Sequence, residues 1–136
     1  MSYDFHRLIA EPYRYVIPMD KHPKGKYGSV GADLEVAIGT VIYCPVDITI
    51  PKVYPWELDA APNDAKYFTG KFAPLVHGLR AVRFWFGPIY PDAGVLAADG
   101  TFHRKQKKGA VLGTAAAAFF HIGCNNKAAL AELLGG

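Results

Sequence analysis

Prolines and glycines cut this chain into short pieces, and that punctuation limits what it can fold into. Ten prolines and fourteen glycines are spread over 136 residues. Few uninterrupted stretches remain that would suit a long helix, whereas pieces of strand length bounded by turn residues are many. The apolar and β-branched pieces predict strands at Tyr13 to Ile17, Asp33 to Val36, Val41 to Tyr43 and Asp47 to Val53. Further strands are expected at Ala81 to Phe86, Val111 to Thr114 and Phe119 to Cys124. Gly39-Thr40 and Lys108-Gly109 read as turns that feed strands, and Ala115 to Ala118 stays open between helix, strand and tight connection. The span from Pro55 to Pro74, rich in Pro, Asp and Asn, reads as a long surface excursion. Only the chain end reads as a helix: Asn125 or Asn126 can cap it, Leu130, Leu133 and Leu134 share one face, and Gly135 stops it. The expectation is a mainly β domain over residues 1–136, a curled antiparallel sheet with an N-terminal arm or strand at 1–17 and a short helix at 125–136.

The bulk composition agrees with one globular domain, since 51% of the residues are hydrophobic and 20% charged. A formal charge of +3 permits peripheral contact with an anionic polymer, cell wall or nucleic acid, without requiring it. Two cysteines, Cys44 and Cys124, are too few for a disulfide framework and read as buried thiols. The opening Met1-Ser-Tyr-Asp-Phe-His-Arg7 has no apolar signal core, and no run has the length of a membrane span. Synthesis in the cytoplasm without a signal peptide is the expectation.

Two motifs carry more specific information. The first is His22-Pro-Lys-Gly-Lys-Tyr-Gly-Ser-Val-Gly-Ala-Asp33, followed by Ala37-Ile-Gly-Thr-Val-Ile-Tyr-Cys-Pro45. The second is Lys107-Lys-Gly-Ala-Val-Leu-Gly113, about 70 residues later. Together they resemble the opening and second turn-and-strand units of the lysostaphin/LytM-like zinc metallopeptidases, which cut the peptide bridges of bacterial peptidoglycan. Lipoyl and biotinyl domains use a similar pair of half-turns. The resemblance covers residues 18–53 and 104–124 and implies a duplicated, curled sheet.

In that family zinc is held by a His and an Asp of the opening motif and by the last His of a terminal His-x-His. Another His from mid-chain, with the first His of the pair, serves as acid and base. A catalytic zinc needs three protein donors and one open position. On this resemblance Asp33 matches the ligand aspartate and His121 the last histidine. Ser29 stands where the first ligand histidine belongs, and a hydroxyl is a poor zinc donor beside imidazole. Phe119 stands where the acid–base histidine belongs. No histidine lies near Val95 and Leu96, where the mid-chain one is implied; His103 is too close to the second turn and His77 too far. A bound zinc would then have two good ligands and no base, which is not a working hydrolase; zinc is possible here, and its absence is the expectation. The alternatives are His22 as a third ligand and His77 as a third ligand or catalytic residue. Cys124 would face the opposite side of a regular strand from His121.

Other chemistries find little support. Gly25-Lys-Tyr-Gly-Ser29 lacks the spacing of a phosphate-binding loop, and no lipoyl-type or biotinyl-type lysine tripeptide occurs. The basic run His103 to Lys108 suits nucleic acid or wall polymer, but a solvated turn accounts for it. The aromatic stretch Arg80 to Tyr90 reads as a core strand, or, where part of it is exposed together with Tyr54-Pro55-Trp56, as a protein or glycan contact surface. The resemblance therefore implies a non-catalytic or weakly active domain used for binding or assembly. The expected setting is a phage tail or baseplate, with other structural proteins and peptidoglycan as partners and nucleic acid not among them. The alternative is an active zinc-dependent peptidoglycan endopeptidase with a rearranged site.

Overall fold

The computed structural model describes residues 3–25, 29–57, 61–62, 64–73 and 80–135. Ten strands and one helix follow in order: β1 Arg14–Ile17, β2 Val30–Glu35, β3 Val41–Tyr43, β4 Ile48–Thr49, β5 Val53–Pro55, β6 Lys66–Phe72, β7 Val82–Pro91, β8 Lys105–Gln106, β9 Val111–Ala115, β10 Phe119–Cys124 and α1 Lys127–Gly135. All strand pairs are antiparallel and belong to one open sheet. Its main path runs β1-β2-β10-β7-β6-β4-β8. The long β7 curls it: β7 lies between β6 and β10 over Phe84 to Gly87, and beyond that its last residues Ile89 to Pro91 bond β9 in place of β10, and β9 bonds β3. The mainly β expectation therefore holds, with a single short C-terminal helix.

The two glycine-fed units are partners in this fold. Val41 opposes Thr114 and Ile42 opposes Gly113, and both feeding turns hold a glycine at positive φ, Gly39 at 90° and Gly109 at 84°. A side chain at such a φ is strained, so glycine is the residue these turns require.

One face of the sheet is the core. In β10 the alternation of strand side chains sends Phe120, Ile122 and Cys124 inward and Phe119, His121 and Gly123 to the open face. Phe68, Phe84, Phe86 and Phe120 are fully buried, each worth about 2–3 kcal/mol of transfer free energy. The N-terminal arm completes this core: Leu8 and Ile9 are buried, and Phe5 packs edge-on against Phe72 and Phe84. Helix α1, too short to persist alone, is capped by the Asn126 side chain accepting from the Ala129 amide at 3.0 Å and packs on β10 and β2 through Leu130 and Leu133.

Three sequence expectations need correction. The span 55–74 is not a surface excursion throughout, because β6 lies within it and inserts Phe68, Gly70 and Phe72 into the core. The inward alternation of Lys66-Tyr-Phe-Thr-Gly-Lys-Phe72 was masked by its Pro-, Asp- and Asn-rich flanks. The strand expected from Asp47 to Val53 breaks into β4 and β5 around Ile50-Pro51-Lys52, since Pro51 has no amide to donate to a ladder. The strand expected from Ala81 to Phe86 runs on to Pro91. The alanine run resolves as the end of β9 and a tight connection into β10, with Ala116 and Ala117 buried.

Candidate metal centre

Strand pairing between β2 and β10 sets Asp33 directly opposite His121 and Gly31 opposite Gly123, all on the open face. Directly opposed strand residues have neighbouring side chains. Here His121 Nδ1 lies 2.8 Å from Asp33 Oδ1. The segment ahead of β2 folds back over the same spot and brings His22 Nε2 to 3.2 Å from that oxygen. The two imidazoles sit with centroids 4.8 Å apart. Room for them comes from glycine: a Cβ on Gly31 would lie 2.7 Å from His121 Cε1 and 3.4 Å from His22 Cε1.

Donor chemistry at this triad suits either a His–Asp ion pair or a bound cation. His22 Nδ1 is 2.8 Å from the Pro23 carbonyl oxygen. A carbonyl only accepts, so Nδ1 carries the proton. In the neutral ring Nε2 then presents a lone pair to the Asp33 carboxylate, which also only accepts. Two acceptors at 3.2 Å require either a doubly protonated ring or a cation between them. The hydrogen bond to Pro23 is the kind of outer contact that fixes the tautomer of a ligating histidine. Burial pushes the Asp33 carboxyl up, but hydrogen bonds and charge from His121, and then from His22, outweigh it and hold it below its ordinary value. His22, Asp33 and His121 each offer one donor atom, all within 4.8 Å of one another. Two nitrogens, one carboxylate oxygen and an open fourth position fit zinc.

The triad sits on the wall of an open groove of about 800 Å³. Trp56, Tyr67, Trp85 and Phe119 line it, and Glu57 and Ser29 share it. Glycines let the aromatic wall approach the sheet: a Cβ on Gly87 would lie 2.9 Å from the Trp56 ring and 2.8 Å from Tyr67 Cβ.

Of the residues singled out in the sequence, Asp33, His121 and His22 converge. Pro23 supplies the carbonyl that orients His22. Ser29 lines the groove as a hydroxyl and Phe119 as an apolar wall. His77 lies outside the described residues, His103 is exposed on the loop before β8, and Cys124 faces the core on the opposite side from His121. Glu57 and Tyr67 were missed, because nothing in their local sequence marks an open-face position. The parity of β7 alone could have placed Trp85, given the inward Phe84 and Phe86. No helix among the described residues is long and apolar enough to cross a membrane. No protein-family model, curated protein or solved structure matches the chain.

Proposed function

We propose that this chain is a lysostaphin-like domain that holds zinc through His22, Asp33 and His121 and binds an extended peptide of the bacterial cell wall in the adjoining groove. Its role is binding or assembly, as a tail or baseplate piece of a phage would need, more than turnover. The observation that carries the reading is the shared Asp33 Oδ1, faced by one nitrogen from each of two imidazoles at 2.8 and 3.2 Å. A zinc ion held there would polarise a peptide carbonyl and acidify bound water. The chain's own residues do the rest. Pro23 orients His22, the glycine pair Gly31 and Gly123 leaves room for the His121 ring, and Phe119, Trp56 and Trp85 offer flat apolar surfaces against which an extended peptide packs. Phe119 cannot move a proton, which supports binding over hydrolysis.

Glu57 favours a second reading. Its carboxylate shares the groove with the triad and lies close enough to Tyr67 to help burial push the phenol above its ordinary value. A carboxylate in that place is a candidate base for the zinc endopeptidase reading.

Metal content of the purified protein decides the first point. Stoichiometric zinc is expected in the native chain and is expected to be lost in each of His22→Ala, Asp33→Ala and His121→Ala. A native protein that takes up no zinc, or three variants that all retain it, would overturn the metal reading. Release of soluble fragments from purified peptidoglycan by the native protein, abolished in Glu57→Gln, would establish hydrolysis instead of binding alone.

A further inference from the structure

The open face of the sheet changes character along its strands. Nearest the triad it carries Asp33, His121, Gly87 and the aromatic wall. One step along, Gly31, Gly123, Trp85 and Thr69 stand in register across β2, β10, β7 and β6. A further step brings cations. Arg83 of β7 opposes Lys71 of β6, Lys71 opposes Thr49 of β4, and Thr49 opposes Lys105 of β8. Directly opposed strand residues share a face, so Arg83, Lys71 and Lys105 form one row on the groove side, with a small hydroxyl as the gap. Neighbouring strands are ~4.8 Å apart, so the row spans roughly 14 Å. Among the described residues none of these three side chains makes an ion pair. Two neighbouring cations beyond the row are paired: Lys107 with Asp47 and Lys108 with Asp4.

The row is tied in position to the triad. Asn125, which follows β10, exchanges hydrogen bonds with the Arg83 backbone, its Oδ1 accepting from the Arg83 amide at 2.9 Å. From His121 to Asn125 is four residues of extended chain, or roughly 14 Å. A ligand lying along the groove from the triad therefore reaches Arg83, the near end of the row, after about four residues. Its charge has to be one-sided. Asp33 and Glu57 face the groove at the triad end, and between them and the cations the surface is glycine, threonine and tryptophan. A polymer with a phosphate at every unit would set anions against those carboxylates. A peptide with carboxylates at one end meets cations at one end and the metal centre at the other.

Building on the peptide-binding reading, we infer that Arg83, Lys71 and Lys105 form an anion subsite that selects extended peptides carrying carboxylates about four residues from the segment held at the triad. Thr49 sits between the two lysines as a neutral hydroxyl donor.

Two fluorescein-labelled probes test this, acetyl-Ala-Ala-Ala-Ala-Glu-Glu amide and its Gln-Gln counterpart, with the reversed Glu-Glu-Ala-Ala-Ala-Ala amide as a third. Binding is read by fluorescence anisotropy at low salt with the zinc-supplemented full chain. One of the two acidic peptides is expected to bind at least about fivefold more tightly than the glutamine peptide, the scale of two or three exposed ion pairs acting together. That preference should vanish in the triple variant Arg83→Gln, Lys71→Gln, Lys105→Gln and persist in Lys52→Gln, which removes a cation outside the row. If the triple variant does not fold, Lys105→Glu on the edge strand reads the same loss. Equal affinity for acidic and neutral peptides, or a preference that survives the triple change, would overturn the subsite. A single-stranded oligothymidine that binds more tightly than any peptide through the same three residues would also overturn it, in favour of nucleic acid. Zinc content is measured in the same samples: a native protein without zinc that still prefers glutamate sinks the metal reading and leaves the subsite standing.

Discussion

Gly31→Ala tests the metal centre without removing a ligand. The added Cβ would lie 2.7 Å from His121 Cε1, where carbon atoms ordinarily rest at ~3.5 Å or more. The ring must therefore move by about 0.8 Å. His121 Nδ1 is held to Asp33 Oδ1 at 2.8 Å, and a displacement of that size away from the carboxylate stretches the contact beyond hydrogen-bond range. Zinc tolerates about 0.2 Å of error in donor distance, so affinity should fall by at least ~10-fold, the scale seen when a contact orienting a metal ligand is lost. Folding stability should respond far less. Gly31 lies in an ordinary strand, and replacing glycine by alanine stiffens the unfolded chain by about 0.4–1 kcal/mol. That gain offsets much of the weakened His–Asp contact, itself worth about 1.5–3 kcal/mol. The assay is thermal unfolding with and without zinc. At zinc near 100 times Kd the native chain gains ~2.7 kcal/mol, or roughly 8 °C for a domain of this size. Gly31→Ala at the same zinc concentration should show a smaller rise, with its metal-free Tm within a few degrees of native. An undiminished zinc shift would refute the argument, since it would mean that His121 does not ligate from the position the fold gives it.

Two further outcomes follow from the core and the helix. Burial pushes the Cys44 thiol up to about 12 and the Cys124 thiol up to about 11, from an ordinary 9.0. Each folded pKa is raised, so the stability these neutral thiols carry is intact below pH 9 and drains away as pH climbs through the folded values. Cys44→Ala should lose ~1.4 kcal/mol less per pH unit than the native chain between pH 9 and 11 in urea titrations, and parallel curves would contradict the assignment. Asn126→Ala removes the helix cap seen at the Ala129 amide and a 3.5 Å contact to the Tyr3 hydroxyl. It should cost about 1 kcal/mol, read as a lower urea midpoint with unchanged slope.

Legibility of this chain followed the range of the interactions. Strands β3 and β10 were delimited in the sequence because alternation and flanking glycines are local signals, and so was the helix with its asparagine cap. Strand β6 was lost because its alternation sits between turn-rich flanks, and a glycine at position 70 looks like a breaker. The structure shows the reason for it: a Cβ there would lie 2.6 Å from Ile48 Cδ1 and 3.0 Å from Phe86. That close approach involves residues from two distant strands and leaves no trace near Gly70. The burial of Leu8 and Ile9 was equally hidden, since the arm has no periodicity and docks by single contacts such as the Tyr43 amide donating to the Leu8 carbonyl. At the site, Asp33 and His121 could be named from motif position. Their mutual contact depends on register between strands 88 residues apart in sequence, which no local signal encodes.

In the proposed metal centre His22 would take the ligand place that the resemblance gives to residue 29. Ser29 occupies the position where the motif would place an imidazole, and a hydroxyl there gives a cation little. The loop that ends at Ser29 nevertheless closes on itself, the Gly25 amide donating to the Ser29 carbonyl at 2.9 Å and the Lys21 amide to the Pro18 carbonyl at 3.0 Å. Those two bonds hold the His22 segment against β2, and the Pro23 carbonyl turns its ring so that Nε2 faces Asp33. The third donor thus comes from a loop, while the other two come from paired strands. A loop donor has fewer packing contacts to fix it, so the orienting bonds carry more of the geometry. Metal affinity in this chain should therefore depend on these orienting bonds as much as on ligand identity, and a change that breaks the Lys21–Pro18 or Gly25–Ser29 bond should lower it without touching any of the three donors.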